Sequence, residues 1–198
     1  YFFTMLSNHC REISTPLLPD DLHTLLCQRA PGQVLGLVLV DQSRILNGNH
    51  SQLAATWLTA AEKLQLERYT FEKRRNEWFL GRICAKQSTI ELLARLGIKP
   101  ITPQEITIAV GTSGRPYLKL PEIKGLERIP DISISHSHGK VIGLAGNCHC
   151  GIDIQLLTDT LFKVRDRFCS EPERALLTET TEDELAQLGM LWVAKEAI

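Results

Sequence analysis

The chain has 198 residues, of which 43% are hydrophobic and 23% charged, with a formal net charge of -1 at pH 7. This length holds one large domain or two small ones with ample material for a core. The near-neutral charge offers no electrostatic case for nucleic acid or membrane binding, and no apolar run reaches the roughly 20 residues of a bilayer span.

Residues 1–33 mix polar and apolar side chains around Pro16, Pro19 and Pro31 and suggest an N-terminal extension with a short helix near 20–28. Residues 34–40, β-branched and Leu-rich, read as a buried strand, and the polar stretch 42–56 reads as a loop. Thr59 and Glu62 form a T-x-x-E capping box that opens a helix. A longer helix is expected over about 72–96, with Phe79, Ile83, Ile90 and Leu93 at helical spacing and Gly97 closing it. Strand signals follow at 106–110, 132–135, 141–145 and 148–154, with turns at 111–114 and 137–139. Helices return near 161–167, 173–179 and 183–198. This order of elements argues for an α+β fold. The chain opens on Tyr1 and stops inside a helical pattern, which suggests a fragment.

Six cysteines, Cys10, Cys27, Cys84, Cys148, Cys150 and Cys169, include no C-x-x-C pair, as expected of reduced thiols in a cytoplasmic protein. His136 and His138 with the Cys148-His149-Cys150 run invite a zinc reading. Their spacing fits no common zinc pattern, and unbound cysteines at strand ends are the simpler account.

Chemistry concentrates at the end of the chain. Trp192, Lys195 and Glu196 are spaced i, i+3, i+4 and share one helical face, while Asp153 and Gln155, at i, i+2, share one face of a strand. Carboxylates from two elements beside an ammonium suit Mg²⁺ carrying a phosphate. The run Lys73-Arg74-Arg75 opens a helix whose dipole favours acids there, so it is either a solvated face or a dock for an anion. The loop before Arg115 is either an ordinary hairpin turn or a mount for a phosphate-gripping guanidinium. In I-S-I-S-H-S, alternation places Ile132 and Ile134 on the core face, Ser133 and Ser135 on the other, and His136 at the strand end. Ser170 reads as an N-cap, Pro172 fits the first turn and Glu171 favours the helix dipole, while Glu173 instead points back into the site as a base.

G-R-P-Y-L, I-S-I-S-H-S, G-I-D-I-Q, F-C-S-x-x-E and W-V-A-K-E-A, in this order and spacing from about Trp57 onward, resemble the 4′-phosphopantetheinyl transferases of the monomeric, surfactin-synthetase-activating type. The resemblance implies a pseudo-dimeric α+β fold of two similar halves, each with a small sheet and a long helix, here 34–130 and 131–198. It implies Mg²⁺-dependent transfer of the phosphopantetheine arm of coenzyme A to a serine of an acyl or peptidyl carrier protein, by a cytoplasmic monomer. It makes Asp153, Gln155 and Glu196 the metal-site residues, Glu173, Lys195 and Glu196 the catalytic ones, and Lys63, Arg74, Arg75, Arg115, Ser135 and His136 the coenzyme A contacts. Gln155 stands where many members carry an acid, so the alternative is a non-catalytic relative that binds coenzyme A or a carrier protein.

Overall fold

The computed structural model describes residues 32–45, 50–177 and 183–197. The expected 1–33 extension and its helix lie outside the described residues except for positions 32 and 33. In chain order the elements are β1 (Leu35–Asp41), α1 (Gln42–Ile45), α2 (His50–Trp57), α3 (Ala60–Leu66), α4 (Glu72–Arg95), a short 3₁₀ turn (Pro103–Glu105), β2 (Thr107–Val110), β3 (Pro116–Lys119), β4 (Asp131–Ser137), β5 (Lys140–Gly146), α5 (Thr160–Phe168), α6 (Glu171–Leu177) and α7 (Glu184–Glu196). The fold is α+β, as expected, with small antiparallel sheets and one long helix.

Strands β4 and β5 form a hairpin whose turn residues His138 (φ 48°) and Gly139 (φ 78°) both adopt the left-handed conformation that a two-residue hairpin loop of this hand requires. Strand β5 also pairs with β1, giving the antiparallel order β1-β5-β4, and β2 pairs separately with β3. The larger sheet thus draws one strand from 34–130 and two from 131–198.

Helix α4 lies across this sheet and is buried without a break from Phe79 to Thr89. Two glycines permit so close an approach. A Cβ on Gly36 of β1 would stand 1.9 Å from the Ser88 carbonyl oxygen, and one on Gly143 of β5 would stand 2.6 Å from the Cys84 carbonyl carbon. The helix ends as its sequence predicts. Gly97 takes φ 70°, its N–H donates to the Ala94 carbonyl (3.1 Å), and the Ile98 N–H donates to Leu93 (2.9 Å), closing a Schellman motif. The Thr59–Glu62 capping box is present at the start of α3.

Two expectations need correction. The stretch 42–56 is not a loop where it is described. It carries α1 and most of α2, because Leu53 and Trp57, one turn apart, bury a common apolar side that the polar residues between them conceal. Residues 148–154 form no strand and no backbone ladder. Instead the N–H groups of Ile152, Ile154 and Leu156 donate to the hydroxyls of Ser133 (3.1 Å), Ser135 (3.2 Å) and Ser137 (3.2 Å). The segment runs parallel to β4 over the sheet face turned away from α4, with side-chain oxygens in place of main-chain acceptors. Beyond it, α5 and α7 with neighbouring residues build a small core of their own around Leu161, Cys169 and Leu188.

Candidate active site

Helix α4, the loop before β3, and strand β4 converge on a cleft of about 310 Å³. Arg74, Glu77, Trp78 and Arg82 line it from α4, Gly114 and Pro116 from the loop, and Ile134 and His136 from β4, with Gln65 and Tyr69 at its side. Three of the stretches singled out in the sequence therefore meet here, although some 60 residues separate the first from the last. His136 Nδ1 faces Glu77 Oε1 at 3.7 Å, and Lys73, largely in solvent, pairs with the same carboxylate at 3.9 Å. The basic run thus divides three ways. Lys73 is solvated, Arg74 enters this cleft, and Arg75 lines a second one of about 340 Å³ with His50, Tyr69 and Asn76. Lys63 sits half-buried on α3, outside the lining of either cleft.

Arg115 is presented differently from the phosphate fork anticipated in the loop. Its Nη2 donates to Asp131 Oδ2 at 2.6 Å and to the Cys150 carbonyl at 3.0 Å. The same Asp131 oxygen accepts from the Cys150 amide (3.0 Å). Burial alone would raise the Asp131 pKa, but the Cys150 amide, Arg115 and His149 outweigh it and hold the carboxyl below its usual range. Burial, reinforced by Asp131, pushes the Cys150 thiol up to about 12, so it is no nucleophile at neutral pH.

On the opposite face of β4 the serine-bound segment carries Asp153. Ser135 uses its hydroxyl both ways: the oxygen accepts from the Ile154 amide, and the proton goes to Asp153 Oδ1 at 2.5 Å. Ser135 thus holds the carboxylate that the resemblance makes a metal ligand, while the next residue, His136, looks into the cleft. Gln155 Nε2 donates to the Leu156 carbonyl (3.2 Å), which leaves its amide oxygen for a further partner. Helix α7 reaches this segment through a close backbone approach. A Cβ on Gly151 would lie 1.5 Å from the Ala197 carbonyl oxygen, so the last turn of α7, with Glu196, stands beside the residues leading to Asp153.

Among the described residues no three His, Cys, Asp or Glu side chains gather as a metal site. Asp153, Glu196 and Gln155 carry oxygen donors of the type Mg²⁺ takes, an ion that binds through one or two carboxylates and keeps several waters.

Lys195 and Glu173 meet directly. Lys195 Nζ lies 2.8 Å from Glu173 Oε1 and 2.9 Å from Oε2, and also donates to the Phe168 carbonyl. Ser170 donates to Glu173 from both its amide (2.8 Å) and its hydroxyl (2.6 Å). Lys195, with Ser170, lowers the Glu173 pKa to about 2. In this arrangement Glu173 is a counter-ion and a weak proton acceptor. Trp192, on the same face as Lys195, packs edge-on against Phe168 at 5.0 Å, so it anchors the small core.

No family model matches the sequence, and no curated protein matches it. Solved structures that resemble it include holo-acyl-carrier-protein synthases. The enzyme from Bacillus anthracis, in complex with coenzyme A (3′,5′-ADP), is 20% identical, with a TM-score of 0.48 over 57% of this chain and 93% of that one. The one from Thermotoga maritima is 21% identical, with a TM-score of 0.48 over 68% and 74%. The Helicobacter pylori enzyme in complex with coenzyme A is 16% identical, with a TM-score of 0.44 over 56% and 96%. Likenesses below 0.5 do not by themselves assign a fold.

Sequence reasoning missed one cluster. Glu62, Lys86 and Arg82 are buried together, with Lys86 Nζ 2.5 Å from Glu62 Oε2 and 2.7 Å from the Trp57 carbonyl. Glu62 was legible only as a capping residue. Nothing local reports that it also neutralises a lysine 24 residues on.

Proposed function

We propose that this chain transfers the 4′-phosphopantetheine arm of coenzyme A to a serine of an acyl or peptidyl carrier protein, as a monomeric enzyme of the surfactin-synthetase-activating type. The observation that carries the reading is the double use of β4. One face presents His136 to a cleft that also holds Arg74 and Arg82, and the other holds Asp153 through Ser135. A basic, aromatic-walled cleft suits the phosphates and base of a nucleotide, and a tethered carboxylate on the neighbouring face suits the metal end of a pyrophosphate.

In this reading a carrier-protein serine hydroxyl attacks the β-phosphate, and adenosine 3′,5′-bisphosphate leaves. Asp153, Gln155 and Glu196 would hold Mg²⁺, whose chemistry is neutralisation of the pyrophosphate charge. The protein's own contribution is positioning: His136 and Arg74 orient the nucleotide, Ser135 fixes Asp153, and Lys195 brings positive charge. A coenzyme A or carrier-protein binder without transfer activity is the competing reading. It draws on Glu173, which the lysine partner keeps fully ionised.

Incubation with coenzyme A, Mg²⁺ and an apo carrier protein, followed by intact mass measurement, decides between them. The carrier should gain one phosphopantetheine arm, and Asp153→Ala should abolish the gain. An unmodified carrier beside measurable coenzyme A binding would establish the binding module instead.

A further inference from the structure

Asp131, Ser133, Ser135 and Ser137 are alternate residues of β4 and share one face of it. Each accepts a main-chain amide from the segment 19 residues further on: Cys150 donates to Asp131 Oδ2 (3.0 Å), Ile152 to Ser133 (3.1 Å), Ile154 to Ser135 (3.2 Å) and Leu156 to Ser137 (3.2 Å). The side-chain ladder therefore has a fourth rung, and that rung differs in kind. It is a carboxylate, and the oxygen that takes the Cys150 amide also takes Arg115 Nη2 (2.6 Å) and faces His149 Nδ1 (3.3 Å). Burial works against its charge, but the Cys150 amide, Arg115 and His149 outweigh burial and keep the carboxyl ionised.

Arg115 closes the arrangement. The same Nη2 that pairs with Asp131 donates to the Cys150 carbonyl (3.0 Å), so Cys150 is held at its amide by the carboxylate and at its carbonyl by the guanidinium. Gly114 and Pro116, on either side of Arg115, line the cleft. Asp153 follows Cys150 by three residues. One short path thus joins the cleft loop, the start of β4 and the segment that presents Asp153. Charge-assisted hydrogen bonds are stronger than neutral ones, so the rung at Asp131 is the firmest of the four. A slip of the segment by one residue would turn away the amides that face β4 and would take Asp153 from Ser135.

We infer that Asp131 is a positioning residue: it sets the register of the segment that carries Asp153 and ties that segment to the Arg115 loop at the cleft. That Asp153 then holds a metal rests on the proposed function. The tie itself does not.

The test uses the whole chain and two readouts. Native-state amide exchange follows each rung, and Mn²⁺, a paramagnetic stand-in for Mg²⁺, reports the Asp153 end through its half-saturation. Asp131→Ala should make the Cys150 and Ile152 amides exchange roughly tenfold faster while those of mid-α4 keep their wild-type rates. It should also raise the Mn²⁺ half-saturation roughly tenfold. Asp131→Ser restores an acceptor without the charge, and the Cys150 amide should recover most of its protection. Arg115→Met should speed Cys150 exchange in the wild-type background and add nothing to Asp131→Ala. If Asp131→Ala does not fold, Asp131→Ser and Arg115→Met decide: a Cys150 amide as protected in Arg115→Met as in the wild type would overturn the tie. Unchanged Cys150 exchange in Asp131→Ala, or acceleration spread equally over mid-α4, would overturn the positioning role. Faster exchange with an unmoved Mn²⁺ half-saturation would overturn it too, because Asp153 would then be placed without Asp131. Faster exchange in a chain that binds no Mn²⁺ and modifies no carrier would uphold the tie and remove the transferase reading.

Discussion

At the scale of single residues, the decisive arrangement is Ser135 between the Ile154 amide and Asp153. The resemblance makes this serine a coenzyme A contact, and here its hydroxyl proton is committed to holding a carboxylate in place. Ser135→Ala should therefore act through Asp153. Loss of a hydrogen bond to a charged group costs about 1.5–3 kcal/mol, so under the proposed function transfer at limiting Mg²⁺ should fall roughly ten- to a hundredfold and recover in part at high Mg²⁺. Initial rates across a Mg²⁺ series check this, and an unchanged Mg²⁺ dependence would return Ser135 to substrate contact. Glu173 provides a second test. Lys195 and Ser170 lower its pKa from the usual 4.5 to about 2, so folding binds fewer protons than the unfolded chain does in that interval. The resulting stabilisation is complete above pH 4.5 and disappears as the pH falls towards 2. Glu173→Gln should flatten this part of the acid limb in denaturation curves taken between pH 5 and pH 2. An unaltered limb would mean that the Lys195 pairing does not persist in solution.

At the scale of elements, packing rests on close approaches and on one shared carboxylate. Gly36→Ala would drive a Cβ into the Ser88 carbonyl, so α4 would have to lift from β1. Overpacking of this kind costs about 1–3 kcal/mol, and denaturant melts should report it. Lys86→Met leaves Glu62 buried without its closest partner, a loss of about 3–5 kcal/mol, and would loosen α3, α4 and β2 together because Glu62 binds all three. A melt within experimental error of wild type would show that water takes over the charge. The elements that were legible in sequence carried local signatures: T-x-x-E for α3, helical spacing and Gly97 for α4, alternation for β4. The elements that were not legible depend on partners distant in sequence. Helix α2 is read only once Trp57 has a core to enter, and the 152–156 segment looks like a strand whose acceptors turn out to be hydroxyls. Within the candidate site, residue types at the right spacing located β4 and α7. The pairings of Arg115 with Asp131 and of Lys195 with Glu173, by contrast, required three dimensions.

For the whole molecule, three clusters of core can be distinguished among the described residues, two of which share Ile90 of α4 and form one larger body. Helix α4 with its sheet and the β2–β3 hairpin holds the larger, while α5, α6 and α7 surround a smaller one built on Leu161, Cys169 and Leu188. Amides of α7 should accordingly exchange faster than those of mid-α4 in native-state hydrogen exchange, since the smaller core buries less apolar surface. Equal protection in both would mean that the two cores unfold as one unit. Between them run residues 151–156, which join the sheet through three serine hydroxyls and meet α7 at Gly151.

Those three hydroxyls behave as separable teeth of a zip. A main-chain ladder cannot lose one rung to a side-chain substitution, but here each rung belongs to one side chain on β4, and deleting it leaves the β4–β5 pairing intact. Alanine at 133, 135 and 137, singly and together, would thus free a graded length of chain while the sheet beneath remained whole. The grip on Asp153 is an adjustable fastening, set by the number of serines in use.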